Sequence, residues 1–138
     1  MQSTYNGIWT LDFVKDETTR LYETKTRKPG GLSERNTSST FTEYSSSGLP
    51  SGYGDIIDLA VTVMPDAPID EETGLPELTI VAADYSSGVA IVHNDGTINT
   101  ISEGSGQHFY RVGFTEKNEL WAQYRMNETY GSVLMFSP

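Results

Sequence analysis

The chain has 138 residues, 36% apolar and 11% aromatic, with 13 glycines, 6 prolines and no cysteine. That length suits a single domain. The missing cysteines exclude disulfides, thiolate zinc sites and cysteine nucleophiles. Nineteen acidic against nine basic side chains give a net charge of −10, which argues against nucleic acid or anionic membrane as partners, because both are held through Lys and Arg.

No apolar run approaches the roughly 20 residues a membrane-spanning helix needs, and Met1-Gln2-Ser3-Thr4 lacks the features of a signal peptide. No compartment is fixed by these features. The charge is uneven. Residues 1–50 carry six basic and six acidic groups, whereas residues 51–138 carry three basic and thirteen acidic ones and so hold the whole net charge. This asymmetry reads as solubility, or as an N-terminal part that touches a partner while the acidic part faces solvent.

Period-two alternation dominates, and no segment sustains a helical 3.6 pattern. In the first segment Ile8, Thr10, Asp12 and Val14 share one face and Trp9, Leu11 and Phe13 the other, which is the face expected to be buried. Thr18 to Arg27 is a polar run with Arg20, Lys25, Arg27 and Lys28 around Tyr22 and Glu23, which suits an exposed edge strand protected by charge. Residues 29–54, with Ser and Thr filling much of 33–47 around a short TFTEY segment, bury too little to order themselves and so read as a long loop, a linker or a ribbon lying on something else.

From Asp55 the strand signals sharpen. IIDLAVTVM (56–64) sets Ile57, Leu59, Val61 and Val63 on one face. LTIVAAD (78–84) is nearly continuous in apolar residues, as expected of a strand covered on both sides. VAIVHN (89–94) follows the Ser86-Ser87-Gly88 turn, and INTIS (98–102) follows Asp95-Gly96, a dipeptide suited to a tight hairpin. These four strands predict an antiparallel meander with one long connection at 65–77. The pattern then restarts, with HFYRVGF (108–114), LWAQYR (120–125) and SVLMFS (132–137). The restart comes after roughly 45 residues, a spacing in the range of four-stranded propeller blades.

Residues 55–102 resemble a β-propeller blade of the kind found in structural proteins of tailed marine bacteriophages. The resemblance rests on Ala67-Pro68-Ile69-Asp70, Thr73-Gly74-Leu75-Pro76, Thr79-Ile80-Val81-Ala82 and Asp95-Gly96-Thr97. It covers about a third of the chain clearly, residues 107–138 only in outline, and residues 1–54 not at all. The expected fold is therefore all-β, built of antiparallel four-stranded meanders as propeller-like blades. The expected units are N-terminal strands with a loop at 1–54, a complete blade at 55–106 and a partial blade at 107–138. About nine strands are expected, roughly two and a quarter blades where closed propellers have 4–8. That count, and an apolar strand at the C-terminus, point to a fragment, to a subunit that closes with copies of itself, or to a different β architecture.

Few residues suggest chemistry. The acidic loop Asp66, Asp70, Glu71, Glu72 and Glu77 lacks the spacing that folds ligands around one calcium ion, and Asp70 to Gly74 reads as a hairpin turn. His93 and His108 have no partner motif. Ser105 fails the nucleophile-elbow frame, and Gly48, Gly52 and Gly54 lack the lysine and helix of a phosphate loop. Asn36-Thr37-Ser38 and Asn127-Glu128-Thr129 fit the glycosylation pattern. Trp9, Tyr110, Trp121, Tyr124 and Tyr130 are the candidates for contact with a sugar or a protein partner, against the commoner role of strand aromatics in the core.

Blade folds serve many functions. The resemblance implies a non-enzymatic structural or interaction module, a virion protein that contacts copies of itself or neighbours, with residues 1–54 as the docking part. It implies no cofactor, metal, nucleic acid or membrane. A carbohydrate-binding β module and a fragment of a propeller-type hydrolase are the alternatives.

Overall fold

The computed structural model describes residues 7–29, 41–45, 48–93, 96–102, 107–126 and 129–136, with the side chains of Pro29, Tyr44, Met126 and 129–136 outside that description. Asn36-Thr37-Ser38, Asn127, Glu128, Asp95, Ser105 and the side chain of Tyr130 thus lie outside the described residues. Among those described there is no helix, and the chain runs through strands β1 (Ile8–Asp12), β2 (Glu17–Leu21), β3 (Lys25–Pro29), β4 (Thr42–Ser45), β5 (Ile56–Thr62), β6 (Thr79–Asp84), β7 (Gly88–Val92), β8 (Ile98–Ile101), β9 (Gln107–Phe114), β10 (Leu120–Met126) and β11 (Thr129–Phe136). They form three antiparallel meanders in chain order, β1-β2-β3-β4, β5-β6-β7-β8 and β9-β10-β11.

The meanders pack as layers, with the second in the middle. Side chains alternate across β6, so Val81 and Ala83 face one way and Ile80 and Ala82 the other. Val81, Ala83 and Val89 meet Phe109, Val112, Leu120 and Ala122 of the third sheet in one core. Ala82 and Ala90 meet Ile8, Leu49 and Tyr53 in the other. Alanine on both faces of β6 lets the flanking layers approach closely. The expectation of a doubly covered strand at 78–84 is met, since five of the six residues of β6 are buried.

Polar bonds add to the apolar contact between layers. The Val112 amide on β9 donates to Asp58 Oδ2 on β5 at 3.0 Å, and Thr62 Oγ1 donates to Asn118 Oδ1 at 3.1 Å. Toward the first sheet, Lys25 Nζ donates to the Gly96 carbonyl at 2.8 Å. Each such bond to a charged group contributes about 1.5–3 kcal/mol where it is shielded from water.

The N-terminal region departs from expectation in three ways. Thr18 to Arg27 is not one edge strand. It divides into β2 and β3 at Tyr22-Glu23-Thr24, and both strands lie inside the sheet, with Lys28 nearly buried. Residues 29–54 are not all loop. β4 pairs with β3, and Leu49 and Tyr53, at 2% and 4% exposure, are core residues.

Lastly, the face of β1 expected to be buried is the open one, with Trp9 54% and Leu11 56% exposed, and Phe13 in the turn beyond more so. Ile8 on the opposite parity is buried in their place. Alternation specifies that two faces differ, and here the larger apolar set points away from the middle sheet.

This layering makes a paired prediction. Phe109→Ala, which opens the core between the middle and third sheets, should destabilise by about 3–5 kcal/mol. Leu11→Ala should stay within about 0.5 kcal/mol. Urea melts of the two variants check the contrast.

Candidate functional site

The acidic connection between β5 and β6 folds as its turn residues dictate. Asp70 Oδ1 accepts the amides of Glu72 and Thr73 at 2.9 and 2.8 Å, and the Gly74 amide returns to the Asp70 carbonyl at 2.8 Å. Gly74 has φ of 68°, a left-handed conformation that glycine adopts without a steric cost. An isolated bridge between Ile69 and Pro76 closes the hairpin.

The other oxygen of Asp70 lies 2.9 Å from Lys15 Nζ, which also reaches Glu72 at 3.2 Å. The Lys15 ammonium and the Thr73 amide hold the Asp70 carboxyl down to about 2, and the two carboxylates keep Lys15 charged above its usual range. Asp70 is thus committed to a turn and an ion pair, and among the described residues no group of three His, Asp or Glu side chains is placed to hold a metal ion.

Asp84, fully buried at the end of β6, anchors the next turn. Its Oδ1 accepts the amides of Ser86 and Ser87 at 3.0 and 2.9 Å, and its Oδ2 accepts the Asp55 amide at 2.8 Å. Burial, with the Asp84 charge close by, pushes the Tyr53 phenol up to about 12, so Tyr53 enters the core neutral and keeps its proton well into alkali. His93 ends β7, where its Nε2 is 3.1 Å from Asn99 Nδ2. It borders a cleft of about 260 Å³ with Asp66 and Glu77.

The four aromatic candidates whose side chains are described, Trp9, Tyr110, Trp121 and Tyr124, do not share one surface. Trp9 lies on the outer side of the first sheet, where Phe41 meets it edge-on at 5.2 Å and the Arg20 guanidinium stands 5.5 Å from its ring. Trp121 is on the other outer layer, across from Gly113, where a Cβ would fall 2.6 Å from its ring. Tyr124 faces inward against Phe109, with centroids 5.7 Å apart.

Of these four, Tyr110 alone joins an aromatic group at the seam of the middle and third sheets. It meets Tyr85 at 5.7 Å, edge to face, and Tyr85 stacks on His108 at 4.2 Å. His108 Nδ1 lies 3.1 Å from the Tyr85 carbonyl, and a hydrogen bond shared with Tyr110 raises the Tyr85 phenol above its usual range. Sequence reading passed over Tyr85, whose one signal is an aromatic residue placed inside the Asp84-to-Gly88 turn.

The most extensive exposed feature is apolar. Trp9, Leu11, Phe13 and Val14 around β1, Ile57, Leu59, Val61 and Val63 along β5, and Ile69, Leu75 and Leu78 of the hairpin region are all well exposed. Exposed apolar residues in this number make this surface the candidate site. Set against protein-family models, curated proteins and solved structures, the chain matches none.

Two predictions follow from the carboxylates. Asp84→Ala leaves the amides of Ser86, Ser87 and Asp55 without their acceptor and should cost about 2–4 kcal/mol in a urea melt. For Asp70, whose folded value lies below the ordinary 3.8, the stabilisation is present above that ordinary value and is lost as pH falls through about 2. A carboxyl-detected NMR titration should place its midpoint there, and Lys15→Ala should move it back toward the ordinary value.

Proposed function

We propose that the chain is a non-enzymatic interaction module of propeller type, whose blade-like sheets stack on further sheets from copies of itself or from a neighbouring protein, as in a virion. The observation that carries this reading is the layering. The middle sheet is covered on both faces, while the outer side of the first sheet leaves Trp9 and Leu11 more than half exposed. An end layer with an exposed apolar strip along one strand is complementary to another layer of the same kind.

The third sheet, with three strands against four in the others, has the count of a partial blade. The conspicuous acids support a structural role, since Asp58, Asp70 and Asp84 are engaged with backbone amides of turns and strand edges. The phage affiliation rests on the resemblance of residues 55–102.

One observation favours a second reading. The stacked Tyr85–His108 pair with Tyr110 beside it offers aromatic faces of the kind that bind sugar C–H surfaces.

Sedimentation velocity over a range of concentrations tests the first reading. The expected result is a mass above that of one chain, returning to one chain in the Trp9→Lys, Leu11→Lys double variant. A single-chain mass at every concentration overturns it. A glycan-array signal that disappears in Tyr85→Ala would move the function to carbohydrate binding.

A further inference from the structure

Association of copies through the first sheet leaves the far side of the third sheet open. Phe109, Val112, Leu120 and Ala122 of β9 and β10 face the middle sheet. Alternation and ladder register therefore put Arg111 and Gln123, directly opposite one another, on the far side, with Trp121 and Gly113 as the next outward pair. No strand lies over them among the described residues. Trp121 rests on the bare backbone of Gly113, where a Cβ would fall 2.6–2.8 Å from Cζ2, Cε2 and Nε1. The indole is thereby braced, with part of its surface in solvent. Gln123 follows it on the same face, about 7 Å along the strand.

The charge of this sheet runs against that of the chain. Residues 51–138 carry thirteen acidic groups and three basic ones, yet β9, β10 and β11 contain no Asp or Glu and hold Arg111 and Arg125. Glu119, in the turn before β10, accepts a hydrogen bond from Thr115 Oγ1 at 3.3 Å. The exposed Arg111 guanidinium and the Gln123 amide have no hydrogen-bond or charge partner among the described residues. A further apolar layer suits this face poorly, since it would strip water from an unpaired guanidinium. Strand addition of a peptide at the β9 edge is opposed because the Val112 amide is already given to Asp58. Nucleic acid is opposed by the net charge of −10.

We propose that this face binds a carboxylated sugar, a uronate or sialate unit of a glycan. Its carboxylate meets Arg111, which can take it through two parallel N–H bonds. Ring hydroxyls meet the Gln123 amide, and the apolar C–H side of the ring lies against Trp121, whose bracing leaves little freedom to lose on binding. The site goes beyond association of copies and depends neither on it nor on the Tyr85–His108 stack.

The test is titration calorimetry of the full chain with tetragalacturonate and with sialyllactose, which separate the two sources of carboxylated sugar. At least one should bind, and methyl esterification of its carboxylates should weaken it roughly tenfold or more, as expected for loss of a charge-assisted bond. Arg111→Gln, at an exposed position that tolerates the change, should weaken it equally. In Trp9→Phe, Trp121 is the one indole left of the chain's two, and its fluorescence should shift as the sugar binds. Binding of neither sugar, equal binding of the ester, undiminished binding in Arg111→Gln or an unchanged Trp121 emission overturns the proposal. So does tighter binding of tetraglutamate than of either sugar, which would give the face to an acidic peptide.

Discussion

A strand sealed on both faces cannot alternate apolar with polar residues, and Thr79–Asp84 obeys that constraint with small and branched side chains on each side. The rest of the molecule is arranged around it. Val81 and Ala83 require the third sheet, Ala82 requires Ile8 and the Leu49 and Tyr53 side chains, and Asp84 ends the strand by taking up the amides of the turn that reverses it. Burying a carboxylate is costly unless its oxygens are fully bonded, and here three backbone amides meet that demand. Gly88, which closes the same turn, has φ of 120°, a conformation that side chains resist.

The layers are held by two unlike kinds of contact. Apolar packing between the middle and third sheets is extensive and includes Phe109 at full burial. The first sheet has a smaller core and adds long-range polar straps, Lys25 to Gly96 and Lys15 to Asp70 and Glu72. Exposed ion pairs contribute little to stability, so these straps chiefly fix the position of the sheet.

The part of the fold that local chemistry dictates was legible in the sequence. Strands 56–62, 79–84, 88–92 and 98–101, and the Asp70-to-Gly74 turn, follow from β-branched runs and from glycine at a left-handed position. What was not legible depends on which layer lies over which. Trp9, Leu11 and Phe13 alternate as a buried set would, yet the first sheet presents the smaller residue, Ile8, to its neighbour. The turn at Tyr22-Glu23-Thr24 has neither Gly nor Pro to mark it, so β2 and β3 read as one strand. Leu49 and Tyr53, isolated among Ser, Gly and Pro, have no period at all and are buried by tertiary contact alone. Of the candidate aromatics, Tyr110 and Tyr124 lie on one strand pair, but their company, Tyr85 from another sheet, is invisible to any local pattern.

The separation of bonded residues along the chain bears on synthesis. Lys25 meets its acceptor only 71 residues later. At a translation rate of about 5–20 residues per second, Lys25 waits roughly 4–14 s for that acceptor to be made. During that interval the first meander lacks the sheet against which Ile8, Leu49 and Tyr53 are buried.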